Sequence, residues 1–182
     1  ELQPDDASFA EQLLSSREPY RFTSGYEFPK HAIISADGCW VALLTGTRCQ
    51  VLSLENRDKV LWLDFAPSSL GDDACWHPVQ PWLLLARRLE VAVWDLTTGL
   101  KIFSHASGGS LAPAFSADGS QIQVCRQNER EFSLHRWRVE DWKALSAEFT
   151  VNGVPRVVGD FLVVFDLYRL SIRPYSQPDR IL

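Results

Sequence analysis

Six arginines carry the strongest hint of chemistry in this sequence: Arg48, Arg87, Arg88, Arg126, Arg130 and Arg169. They fall where one apolar run gives way to the next, and the groups recur about every 40 residues. A guanidinium is a planar fork of donors that grips a carboxylate or phosphate with two parallel hydrogen bonds. Brought together, these side chains would form a positive surface for an acidic protein segment or a phosphorylated motif. The acids sort the other way. Asp37, Asp118, Asp160, Glu55, Asp58, Asp95, Glu140 and Asp141 occupy the alternate connections. The plainer account also stands at this level: exposed connections are polar, and charges on them are usually neutral for function.

Catalytic patterns are missing. The sequence has no Gly-x-Ser-x-Gly, no phosphate-cradling glycine loop ending in Lys-Ser or Lys-Thr, and no His-Glu-x-x-His. Ser104, His105 and Ser107-Gly108-Gly109 bring a hydroxyl, an imidazole and pliant backbone together, but the stretch reads as a connector. Asp72-Asp73 lacks the Asn and Gly companions of a cation loop. Cys39, Cys49, Cys75 and Cys125 are far apart, and the four histidines do not cluster with them. Neither zinc nor any other cofactor is expected. Each cysteine falls in an apolar, strand-like run, which suits buried reduced thiols in an intracellular, cytoplasmic protein. The expectation is a non-enzymatic chain.

Bulk composition narrows the partner. Of 182 residues, 46% are hydrophobic and 23% charged, enough apolar content for a packed core. A net charge of −5 argues against nucleic acid and membrane surfaces as general partners. No apolar run reaches the roughly 18 residues of a membrane span, and the acidic start does not resemble a secretion signal. The sequence contains no Met, which points to a domain cut from a longer chain. Seven Trp and ten Phe suit an all-β core.

The elements that must position the arginines are visible as repeats. Ile34-Ser35-Ala36-Asp37-Gly38 and Phe115-Ser116-Ala117-Asp118-Gly119 are nearly identical, and Trp76-His77-Pro78 lies midway. Each is followed by a strongly apolar run: Trp40–Leu44, Trp82–Ala86 and Ile122–Cys125. Next come Val51–Leu54, Val91–Leu96 and Arg136–Val139, then outer segments at Val60–Leu63, Leu100–Phe103 and Ala144–Phe149. A degenerate fourth unit comprises Arg156–Val158, Phe161–Phe165 and Leu170–Arg173. A period near 40 with about four short strands per unit is the pattern of a propeller blade. In the tight turns Asp bonds local backbone and Gly accepts positive φ.

Val91-Ala92-Val93-Trp94-Asp95-Leu96-Thr97-Thr98-Gly99 resembles the closing stretch of a WD40 repeat, Trp94-Asp95 being the signature dipeptide. The resemblance covers about residues 31–175. Positions equivalent to the dipeptide hold Leu52-Ser53 and Trp137-Arg138, and the opening Gly-His is missing. The family's buried polar network therefore does not transfer to this chain. What the resemblance implies is an all-β arc of about four WD40-like blades, an incomplete ring, with Trp94, Asp95, Asp37, Gly38, Asp118 and Gly119 as structural residues.

Residues 1–30 differ. Ser8 and Glu11 are spaced as a capping box ahead of Phe9/Leu13 and Ala10/Leu14 pairs, predicting a short N-terminal helix. Tyr20–Thr23 and Tyr26–Phe28 alternate as strands and could latch the last blade. The expected division is 1–30 as helix and latch, 31–182 as blades. The leading functional expectation is a protein-interaction or scaffold module, its arginine-lined face docking an acidic partner. The alternative is a structural domain that completes a propeller with another copy or chain. A propeller hydrolase ranks third.

Overall fold

The computed structural model describes residues 31–45, 48–56, 58–63, 73–87, 90–106, 110–128, 131–145, 149–151, 154–158, 161–166 and 169–174. The expected helix at 1–18 and latch strand at 19–30 lie outside these residues. The described secondary structure is all β. The first sheet is β1 (His31–Ile34), β2 (Trp40–Leu44), β3 (Cys49–Ser53) and β4 (Val60–Leu63). The second is β5 (Asp73–Trp76), β6 (Trp82–Ala86), β7 (Glu90–Asp95) and β8 (Leu100–Ala106). The third is β9 (Ser110–Phe115), β10 (Gln121–Asn128), β11 (Glu131–Arg138) and β12 (Phe149–Val151). The fourth holds β13 (Val154–Val158), β14 (Phe161–Asp166) and β15 (Arg169–Pro174). Every sheet is an antiparallel meander in sequence order. The opening strands β1, β5, β9 and β13 neighbour one another in succession, as the inner strands of propeller blades do. The fold is a partial propeller.

The apolar runs are explained by where each sheet sits. Side chains alternate across a strand, so a sheet covered on both faces needs apolar residues at every position. In β6, Leu83 and Leu85 pack with Ala42, Leu44 and Val51 of the first sheet. Leu84 and Ala86 turn the other way, onto Ile122, Val124 and Trp137 of the third. Each such leucine contributes about 2 kcal/mol by leaving water. Trp94 is half-buried rather than fully enclosed; it joins the first of these cores while Lys101 Nζ sits 5.2 Å from its ring centroid.

The repeat extends to single hydrogen bonds. Leu54 N donates to Cys39 O at 2.8 Å, Leu96 N to Pro81 O at 3.0 Å, and Val139 N to Ser120 O at 2.9 Å. These equivalent bonds tie the end of each third strand to the turn that precedes the second.

Two local expectations need correcting. The third outer strand is not Ala144–Phe149. Ala144 makes one isolated bridge to Trp137, and β12 begins only at Phe149. Trp142, in the intervening turn, adopts φ 55° and stacks on Phe103 of the second sheet at 4.8 Å, so packing against the neighbouring blade takes precedence over strand continuation there. Cys39 is not in a strand. It lies in the β1–β2 turn, half-buried, with Sγ 3.4 Å from Glu55 Oε1. All four cysteines are thiols.

Candidate functional site

The arginine positions belong to hairpins that join second strands to third strands, at one end of the sheets. At the β2–β3 hairpin the side chain of Thr45 fixes the geometry. Its Oγ1 donates to Arg48 O at 3.1 Å and accepts from Arg48 N at 3.0 Å, while Thr45 N donates to the same carbonyl at 2.9 Å. Arg48 projects exposed from this clamp. Arg126 is also exposed, but it lies inside β10, opposite Ser110 and Ser133, because β10 and β11 run on to Asn128 and Glu131.

Arg87 departs from expectation. It is only 2% exposed, among the largest fully buried side chains. The residue directly follows β6, whose two faces are both covered by neighbouring sheets, so its side chain is enclosed instead of meeting solvent. Its backbone closes the β6–β7 hairpin through Arg87 N to Glu90 O at 2.9 Å. Arg88 and Arg130 lie outside the described residues. Arg169 opens β15 in register with Asp166. The structure therefore brings Arg48 and Arg126 to the surface at this end and removes Arg87 from it. Glu90, at the same end, is engaged by Lys101 Nζ at 2.7 Å and Ser104 Oγ at 2.6 Å.

The opposite end is acidic. Asp37, Glu55, Asp58, Asp118, Glu140 and Asp141 are all exposed there, and Asp95 is half-buried with Oδ1 accepting from Thr97 N at 2.8 Å. Asp160 lies outside the described residues. Arg138 and Lys143 share this end but are engaged by Asp141, at 3.1 and 3.2 Å.

Two of the acids hold the repeated turns. Asp37 Oδ1 accepts from Ser35 Oγ at 2.5 Å and Cys39 N at 2.9 Å. Asp118 Oδ1 accepts from Ser116 Oγ at 2.6 Å and Ser120 N at 2.9 Å. Ser120 Oγ adds contacts to both Asp118 oxygens at 2.8 Å. These donors favour the ionised form, Ser116 most, and pull the Asp118 carboxyl down to about 2. Asp37 is lowered for the same reason, led by Ser35. Gly38 and Gly119 take φ of 71° and 73°, the left-handed conformation this turn requires.

A histidine missed by sequence reasoning joins the second and third sheets. His77 occupies the place that Ser35 and Ser116 hold in their units. Its Nδ1 accepts from Val79 N at 3.1 Å and Gln80 N at 2.8 Å, which leaves Nε2–H to donate to Gly119 O at 3.2 Å. The ring packs edge-on against Trp82 and Phe115, with centroids 5.2 and 4.8 Å away. Burial lowers its pKa, so the imidazole is held neutral. The available signal was the alignment itself, which places Trp76-His77-Pro78 beside the two Ser-Ala-Asp-Gly turns. Trp76 ties the first and second sheets similarly, donating Nε1–H to Ile33 O at 3.3 Å.

Ser104 and His105 do not form a nucleophile pair. Ser104 serves Glu90, and His105 stands 5.0 Å from the Trp137 ring.

A run of apolar sheets meeting side by side defines the β-propeller class, and the solved structures agree. The chain resembles hydrazine synthase of Kuenenia stuttgartiensis with a TM-score of 0.62 at 14% identity, covering 84% of this chain and 48% of that one. It resembles KlHsv2 carrying a Gly-Ser linker in place of loop 6CD with a TM-score of 0.58 at 12% identity, covering 83% and 50%. A TolB protein of Agrobacterium tumefaciens gives 0.57 at 14% identity, covering 80% and 57%. This chain spans about half the length of those proteins. No family model matches the sequence, and no curated protein matches it.

Proposed function

We propose that this chain is a non-enzymatic interaction or scaffold module of WD40-like blades, an adaptor whose hairpin end docks an acidic protein segment. The observation that carries the reading is the segregation of charge. Exposed Arg48 and Arg126 stand at one end of the first and third sheets, and six exposed carboxylates stand at the other. An acidic segment approaching the arginine end gains bidentate contacts, while the acidic end repels it. The net charge of −5 sets phosphate-rich duplexes at a disadvantage. The propeller likeness is consistent with a docking role but is a likeness of fold, which hosts many functions.

The test is titration of a fluorescent oligoglutamate peptide into the wild-type chain and into Arg48→Glu/Arg126→Glu. The variant should bind at least about tenfold more weakly with an unchanged circular dichroism spectrum. Equal affinity in both proteins, or no binding by the wild type, overturns the reading.

A further inference from the structure

The side chains that meet between successive sheets change character between the third and the fourth. On the second strand of each sheet, the first and third residues face the sheet that follows. In the first sheet these are Trp40 and Ala42, and Ala42 pairs across to Val51. In the second they are Trp82 and Leu84, and Leu84 pairs across to Val93. In the third the same places hold Gln121 and Gln123, and Gln123 pairs across to Arg136. The fourth sheet offers these polar groups apolar surface. Leu162 and Val164, both buried, take the places in β14 that Ile122 and Val124 take in β10, facing the preceding sheet. Gln123 is fully enclosed, at 0% exposure, and neither its Oε1 nor its Nε2 has a hydrogen-bond partner. Gln121 Oε1 and Arg136 Nε are also buried without one. Burying such groups unpaired forfeits the hydrogen bonds they make to water. Trp94 Nε1 is unpaired too, but it belongs to a ring packed among apolar side chains of the first two sheets.

We infer that the arc opens at this seam: the fourth sheet swings away from the third while the first three sheets stay packed. Opening lets water reach Gln121, Gln123 and Arg136 and so recovers their unmet hydrogen bonds. Opening the seams on either side of the second sheet would instead wet leucine, valine and tryptophan, with no such gain. The closed seam is held by Leu162, Val164 and the apolar Ala112, Cys125 and Leu134. The open state presents an amide- and guanidinium-bearing face of the third sheet that the closed arc conceals.

Two buried thiols report on the seams. Cys125 lies on the Gln123 face of β10, and Cys49 lies in the core between the first and second sheets. The native chain is treated with iodoacetamide, and modification at each cysteine is followed by peptide mass mapping and normalised to its rate in the urea-unfolded chain. Cys125 should react at least about tenfold faster than Cys49. Gln123→Leu/Arg136→Val, which installs the Leu84–Val93 pair of the second sheet, should slow Cys125 at least about tenfold. Gln123→Leu alone should slow it by a smaller factor. A Cys125 no more reactive than Cys49, or a fast Cys125 that neither variant slows, overturns the inference. Failure of both variants to fold also overturns it, since the closed seam would then require the polar pair.

Discussion

The turns Ser35-Ala36-Asp37-Gly38 and Ser116-Ala117-Asp118-Gly119 share a sequence and a backbone but not a neighbourhood. Both close with the same bonds, Gly38 N to Ser35 O at 3.0 Å and Gly119 N to Ser116 O at 2.8 Å. A side-chain carbon added at Gly38 would meet nothing, whereas one added at Gly119 would run into the His77 imidazole. Local residues specify the turn, while the neighbouring sheet decides what the turn supports. The third-sheet turn is part of an interblade joint; the first-sheet turn is only a turn.

The largest expected effect breaks that symmetry. Gly119→Ala should cost about 3 kcal/mol, combining left-handed strain with a steric conflict at His77. Gly38→Ala should cost only about 1–2 kcal/mol, the strain alone. Urea denaturation of the two variants compares them directly, and equal losses would show that the joint contributes nothing.

His77→Ala should be next, at about 2–3 kcal/mol. It strands two backbone donors and the Gly119 carbonyl, and it empties a space against Trp82 and Phe115. In the His77→Ala background, Gly119→Ala should shrink to the cost of Gly38→Ala. A double-mutant cycle with no coupling would contradict the joint.

The third effect is on pH. His77 titrates lower in the folded chain than its ordinary value near 6.5, so the unfolded chain binds the proton more readily. Stability should therefore fall as pH drops below about 6.5, with a slope no steeper than about 1.4 kcal/mol per pH unit from this group. The turn aspartates act lower. Their stabilisation is present above about 4 and is lost as pH falls toward about 2, the value of Asp118. Thermal melts between pH 7 and 5 should lose their His77 component in His77→Ala.

The smallest effect concerns the one residue by which the turns' carboxylate partners differ. Ser120 donates to Asp118, whereas the equivalent Cys39 lies against Glu55, which raises its thiol to about 11. Cys39→Ser should lower the Asp37 pKa further, because a hydroxyl donates more strongly than the thiol that already contacts this carboxylate. An unchanged Asp37 titration by carboxyl NMR would show that the hydroxyl at Ser120 is not what separates the two turns.

Much of the blade architecture was legible because it rests on strict rules. Period-two burial in a sheet covered on both faces forces continuous apolar runs, so β2, β6 and β10 could be placed from sequence; the apolar run also placed β14, although Phe161 and Phe165 are exposed. Asp-Gly turns gave their ends. The site was less legible because it depends on which way a long side chain leaves the backbone. Arg87 and Arg48 occupy equivalent hairpins but different positions in them: Arg87 N donates to Glu90 O as Thr45 N donates to Arg48 O, so Arg87 stands in the place of Thr45, which is also buried, and Glu90 in the place of Arg48. His77 was hidden for a related reason. Its partner, Gly119, is 42 residues away, and only the stacking of sheets brings them together. Arg126 fell in a strand because hairpin length is set by pairing across β10 and β11, which the polar ends Gln127-Asn128 and Glu131 obscure.

We propose that charge segregation on this arc steers an acidic partner to the arginine end. Stopped-flow association of the oligoglutamate peptide across a salt series tests it most directly. The on-rate should fall steeply as ionic strength rises and screening shortens the reach of Arg48 and Arg126, with a weaker salt dependence in Arg48→Glu/Arg126→Glu. An on-rate flat in salt, or an identical salt slope in both proteins, would contradict it.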